Sequence, residues 1–367
     1  MLSRNPIQSA MLNEACTFSK DDCIRVSCDD KNKINVGTLA VSRYHQIRRF
    51  YLEDDQPEYN DHDFPYAGSK IIPSGYLIME TKEKTSRKRS RSEERQKARE
   101  TNRRSRSHSP ITRKDVDNDG SFHNDKYGRM HVTYGRTGPM NIFNRAGMFH
   151  SSTAETHANV FHRILSDNKF KGKTVCMIMS DGGPDWSTKS TKTLIYQGRL
   201  WRDLNFDYYA VANLAAGHSK ENPIEHLWSP LLKQLVSVTL PITLPGEAIP
   251  PSEQNISEEE KKRKNIKVFD SAIDQLNCYW NMTHDGFKVK PVKIACVEGV
   301  KVYSDHAVMK EFCKSGIKKI LGTRAFFLLK HCTRRTNMLE FVKCRDTQCN
   351  HCTTNTVRKT KFMDYIG

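Results

Sequence analysis

The sequence predicts an α/β fold, a mixed sheet covered by helices. Three observations lead there. Strand patterns dominate the first part of the chain, strand and helix patterns alternate after about residue 150, and 367 residues suffice for a large domain with additions.

Residues 23–29 alternate, with Ile24, Val26 and Cys28 on one side and Arg25, Ser27 and Asp29 on the other, which is a strand pattern. The strand runs out in Asp29-Asp30-Lys31. Strand neighbours point to opposite faces, so only one of the two aspartates can serve a given site. Residues 34–40 and 71–79 read as further strands, and residues 130–150 as two strands around a Gly-Pro turn. Residues 151–165 and 192–204 have helical apolar spacing, and residues 207–214 read as a strand.

Residues 174–179 form a short, mostly apolar run that reads as a buried strand. Asp181-Gly182-Gly183-Pro184 follows at once, so Asp181 stands where strand gives way to turn. Asn222-Pro223 opens a helix, with Asn222 as the expected cap and Ile224, Leu227, Trp228, Leu231, Leu232 and Leu235 at helical spacing. Glu225 falls on the flank of that stripe, and Pro230 should kink or split the helix. Residues 257–280 start with a capping Ser and acidic residues, as a helix does, and residues 289–296 read as a strand.

The formal charge of +17 favours an anionic polymer as partner. It is uneven: residues 82–114 hold 14 Lys/Arg against 4 Glu. That stretch lies in a low-complexity Arg/Ser segment, residues 81–125, too poor in large apolar residues to order itself, and is expected to be a disordered insertion. No stretch approaches the roughly 18 apolar residues of a membrane span, so the expected partners exclude a membrane. The expected organisation is an N-terminal segment (1–22), a sheet domain in two parts (23–80 and 126–238) around the insertion, an α/β extension (239–330) and a Cys/His tail (331–367).

Several carboxylates around two cations about 4 Å apart are what phosphodiester chemistry needs, and Mg²⁺ prefers hard oxygen ligands. Asp29 or Asp30, Asp181 and Glu225 could supply them. Each also has an ordinary explanation: a solvated strand end, a turn-shaping Asp, a capping-box Glu. In the tail, Cys344, Cys349 and Cys352 have zinc-ligand spacing, with Cys332, His331 or His351 to complete a tetrahedral structural site. Lys343, Arg345, Arg334 and Arg335 surround that cluster and could touch nucleic acid.

DDK after a first strand, DGGPDW after a later one, and then GHSKENPIEHLWSPL resemble the RNase H-like superfamily of DDE transposases and integrases. NPIEHLW in particular resembles the mariner-type signature, and the resemblance spans roughly residues 16–238. It implies an RNase H-like fold in which Asp29, Asp181 and Glu225 are the catalytic metal ligands. It also implies Mg²⁺ (or Mn²⁺) cofactors and DNA cleavage or strand transfer without a covalent protein intermediate. A nuclear protein of mobile-element origin, a fragment or domesticated copy included, is the expectation. Lys31, His218 and His226 flank these motifs and are expected at the surface. The competing expectation is a transposase-derived protein that binds nucleic acid or chromatin without catalysis. RNA and a second copy of the chain stay open as partners.

Overall fold

The structure is a computed structural model. It describes residues 22–31, 33–37, 40, 70–79, 123–124, 130–131, 138–214, 222–241, 257–284, 287–296, 301–303, 330–344, 346, 348–349 and 352. The chain divides into two units, residues 80–136 and the rest. In the smaller unit the described residues form one two-stranded ladder, β4 (His123–Asn124) against β5 (Met130–His131). Nearly all of the expected disordered insertion, residues 81–125, lies outside the described residues, as do residues 1–21 and His218.

The larger unit is a mixed α/β sheet with helices on both faces. Strand β1 (Cys23–Asp30) lies at its centre, parallel to β7 (Val175–Ser180), which is parallel in turn to β8 (Tyr208–Asn213). On its other side β1 pairs antiparallel with β3 (Lys70–Ile78), and β3 antiparallel with β6 (Gly138–Ala146). Short β2 (Ile34–Asn35) also pairs with β3. The central order is therefore β6-β3-β1-β7-β8.

The C-terminal part of the chain extends this sheet on both sides. Beyond β6 come β10 (Phe287–Lys293), parallel to it, and β9 (Thr283–His284). Beyond β8 come β12 (Met338–Val342) and β11 (Cys332–Arg335), both antiparallel to their neighbours. The expected tail thus contributes a hairpin to the main sheet.

Alternation in β1 divides its side chains between two cores. Ile24, Val26 and Cys28 meet α1 (Ala154–Leu165) and α2 (Thr191–Asp203) in one apolar cluster around Phe161, Trp186 and Trp201. The other cluster joins Leu77, Met140 and Ile142 to α3 (Glu225–Lys233) and α4 (Glu258–Trp280) through Trp228 and Trp280. Helix α1 is capped by Thr153, α2 by Ser190 and α4 by Ser257, each hydroxyl accepting from a backbone N–H in the first turn.

Helix α3 departs from the sequence expectation. Its Ncap position is Ile224, with helical backbone and no side-chain cap, because Asn222 is turned into the core instead. The helix runs on through Pro230 to Lys233. The buried carboxamide of Asn222 donates to the Cys28 carbonyl (3.0 Å) and bonds the Ser27 hydroxyl, whose oxygen also accepts from the Ile224 N–H (3.1 Å). Three bonds to β1 outweigh one local cap, since unsatisfied buried polar groups are costly.

Candidate functional site

Asp29 and Asp181 stand side by side because β1 and β7 are parallel and in register. The Ser27–Met179 pair is the last in their ladder, and both aspartates lie two residues beyond it. The third carboxylate arrives with α3, which Asn222 fastens to β1. Opposite Asp29 on β3 is Gly75, and the missing side chain there is what admits the helix. A Cβ on Gly75 would lie 2.7 Å from Ile224 and from Trp228. Through that gap the Trp228 indole N–H donates to Asp29 Oδ2 at 3.0 Å.

Asp29 is 6 % exposed, whereas Asp181 is exposed and Glu225 half-buried. Burial, then the negative charges of Glu225 and Asp181, push the Asp29 carboxyl up to about 8, against the one hydrogen bond from Trp228. The charges of Glu225 and Asp181 thus both reach Asp29, at the same end of the sheet. The three carboxylates are not among the described groups whose ligand-type atoms lie within 4.8 Å of one another, so they share one end of the sheet without closing on a common point. Hard oxygen donors of this kind suit Mg²⁺ or Mn²⁺.

Asp30 faces the other side of the sheet. Its carboxylate takes bonds from Ser74 and Ser152 and from Arg145 Nη2 at 3.1 Å. Ser152 Oγ lies 2.8 Å from Asp185 Oδ2, which is also 3.0 Å from His157 Nε2. The other ring nitrogen of His157 meets the Tyr76 hydroxyl at 2.7 Å. Burial would raise Asp185, but hydrogen bonds from His157 and Ser152 and the His157 charge hold it down at about 2. Asp30, His157 and Asp185 bring ligand-type atoms within 4.8 Å of one another. Yet the fully buried Arg145 guanidinium already pairs with Asp30, so the group is charge-compensated. Sequence spacing does not reveal this network: its members come from β1, β3, β6, α1 and the turn after β7. Only Asp30, in DDK, and Asp185, in DGGPDW, fall inside conspicuous motifs.

The turn between β7 and α2 is fixed by local geometry. Gly182 has φ +84°, a backbone state that favours glycine, and Asp181 Oδ1 accepts from the Gly183 N–H at 3.1 Å. His226 is exposed, as expected, and Lys31 is half-buried with its N–H bonded to the Pro73 carbonyl.

At the far end of the sheet His331, Cys344, Cys349 and Cys352 converge, their ligand-type atoms all within 4.8 Å. His331 Nε2 lies 3.5 Å from Cys349 Sγ and 3.3 Å from Cys352 Sγ. Of Cys332 and His331, both candidates for the fourth ligand, it is His331 that the structure brings to the three thiols. His331, just before β11, rests its imidazole on Trp201 and turns Nε2 to the thiols, whereas Cys332, packed against the apolar cluster that contains Trp201, is not among the converging ligands. Burial and the Cys344 thiol push Cys352 up to about 12, so a metal must displace its proton. His351 and Arg345 lie outside the described residues.

Lys343 is corrected too. Far from offering a surface charge, it is 4 % exposed and paired with Asp207 at 2.8 Å, and its ammonium also donates to the Asn205 carbonyl. Arg334 and Arg335 are exposed, with Arg335 bonded to Glu340 at 2.8 Å. Among the described residues no helix is long and apolar enough to cross a membrane. Comparison with protein-family models, with curated proteins and with solved structures gave no match.

Proposed function

We propose that the chain is a DDE-type, RNase H-like transposase domain that cleaves or transfers DNA strands at Asp29, Asp181 and Glu225. The observation that carries the reading is that Glu225 and Asp181 both bear on the buried Asp29 carboxyl, although they lie about 150 residues or more from it in sequence. A mixed sheet in which β1 lies parallel beside β7, with β3 alone reversed among the central strands, supports the reading. Asp29, Asp181 and Glu225 would hold the divalent cations, which would supply Lewis acidity for attack on a phosphodiester. Of the groups in this chain, Asp29 is the dry, positioned ligand, oriented by Trp228. Asp181 is the exposed one, open to solvent. Glu225 approaches from the helix.

The His331, Cys344, Cys349 and Cys352 group has the donor set of a closed structural Zn²⁺ site. It would staple the loop after β12 to the start of β11. The positive charge of the chain supports DNA as substrate, and the nucleus as the place of action.

The test is strand cleavage or transfer on DNA with Mg²⁺ or Mn²⁺, comparing wild type with Asp181→Ala and Glu225→Ala. Metal-dependent activity in wild type alone supports the proposal. Equal inertness of all three sinks catalysis, and salt-sensitive DNA binding by all three would then favour the binding-only alternative.

A further inference from the structure

We infer that Asn213 is a positioning residue for the acidic site, holding the turn that carries Asp181 without touching the reacting groups. The inference rests on the metal-site reading above.

The turn after β7 is exposed and glycine-rich, and the Asp181 carboxylate makes one bond within it, to the Gly183 N–H. Something else must keep the turn beside β1. Asn213 ends β8, paired with Ser180 at the end of β7. Its carboxamide makes three bonds, all to residues that bracket Asp181. The Nδ2 group donates to Ser180 Oγ at 2.7 Å, on the near side, and to the Trp186 carbonyl at 3.1 Å, on the far side. Its Oδ1 accepts from the Thr188 N–H at 3.0 Å. Both donors and the acceptor of one planar amide are thus used to close the loop on itself.

The fit is close. A Cβ on Gly182 would stand 3.1 Å from the Asn213 Cβ, so the backbone of the turn lies directly over this side chain. Asp at 213 would lack the donors, Ser would be too short, and Gln would add a methylene where there is no room. The main chain of Asn213 is held from the opposite side, its N–H donating to the Asn337 carbonyl at 2.8 Å in the turn between β11 and β12. The anchor of the Asp181 turn is therefore gripped by the hairpin that leads to the Cys/His cluster.

The test compares wild type, Asn213→Ala and Asn213→Asp in two measurements, amide hydrogen exchange and Mn²⁺ affinity. The Asp variant retains the acceptor and the size, and keeps the test open if Ala does not fold. In metal-free protein, residues 181–188 should lose protection in Asn213→Ala, and less in Asn213→Asp, while β1 and β7 keep theirs. Mn²⁺ affinity should fall about tenfold or more in Asn213→Ala, the usual effect of removing a group that orients a metal ligand. Unchanged protection of residues 181–188 overturns the inference, as does unchanged Mn²⁺ affinity where Asp181→Asn lowers it. If wild type binds Mn²⁺ no better than Asp181→Asn, the acidic-site reading fails on its own. The exchange result then decides whether Asn213 holds the turn.

Discussion

Replacing Gly75 by Ala tests the geometry on which the acidic site depends. The added methyl would stand 2.7 Å from Ile224 Cδ1, 2.7 Å from Trp228 Cζ2 and 2.9 Å from its Cη2. Carbon atoms in contact rest about 3.5–4.0 Å apart, so helix and sheet must part by roughly 1 Å. Both sides are rigid: β3 is paired on both flanks, and Trp228 is 1 % exposed. Overpacking of this kind costs about 1–3 kcal/mol, and a displaced indole that loses its bond to Asp29 adds about 1.5–3 kcal/mol. Denaturant unfolding should therefore show Gly75→Ala destabilised by roughly 2.5–6 kcal/mol. Trp228→Phe removes the two indole atoms that clash and leaves the Ile224 contact, so the double variant should lose at least about 1 kcal/mol less than the two single losses together. Wild-type stability in Gly75→Ala, or strict additivity in the double variant, would refute the argument that Gly75 admits α3.

Metal-free stability should depend on pH through Asp29. Its folded pKa of about 8 lies above the ordinary 3.8, so its stabilising contribution is complete below about pH 4 and is lost as pH rises through about 8. Thermal unfolding in chelator should show this slope, and saturating Mg²⁺ or Asp29→Asn should flatten it. Asp207→Asn leaves Lys343 buried without its counter-charge, and should cost about 3–5 kcal/mol in denaturant unfolding. Replacing both residues with apolar ones of similar size should recover most of that loss. Zinc content measured on purified protein should fall in His331→Ala and Cys349→Ser, with a lower unfolding temperature, and should stay at the wild-type level in Cys332→Ser.

The sequence makes the elements legible and leaves two pairs of neighbours undecided. Alternation finds β1 and places Asp29 and Asp30 on opposite faces, but cannot say which face receives α3. The answer lies in Trp228 on one side and Arg145, Ser74 and Ser152 on the other, all remote in the chain. His331 and Cys332 pose a related problem, decided by the remote thiols of Cys349 and Cys352, which approach the His331 ring. Asn222 misleads for a different reason: local propensity reads it as a cap, while tertiary bonds to β1 claim its side chain. The β11–β12 hairpin is hardest to foresee. CTRR is short and mostly exposed, and only pairing of β12 with β8, more than a hundred residues earlier, gives it a place.

The two added flanks have a practical consequence. A fragment trimmed after Val238, beyond the last of the acidic motifs, would contain every acidic group of the site but neither β10 nor β12. Its outer strands β6 and β8 would then present bare rows of amide and carbonyl groups, which recruit strands from other molecules and drive insolubility. Recombinant versions of this domain should keep residues 239–352, even when only the chemistry of the first 238 is of interest.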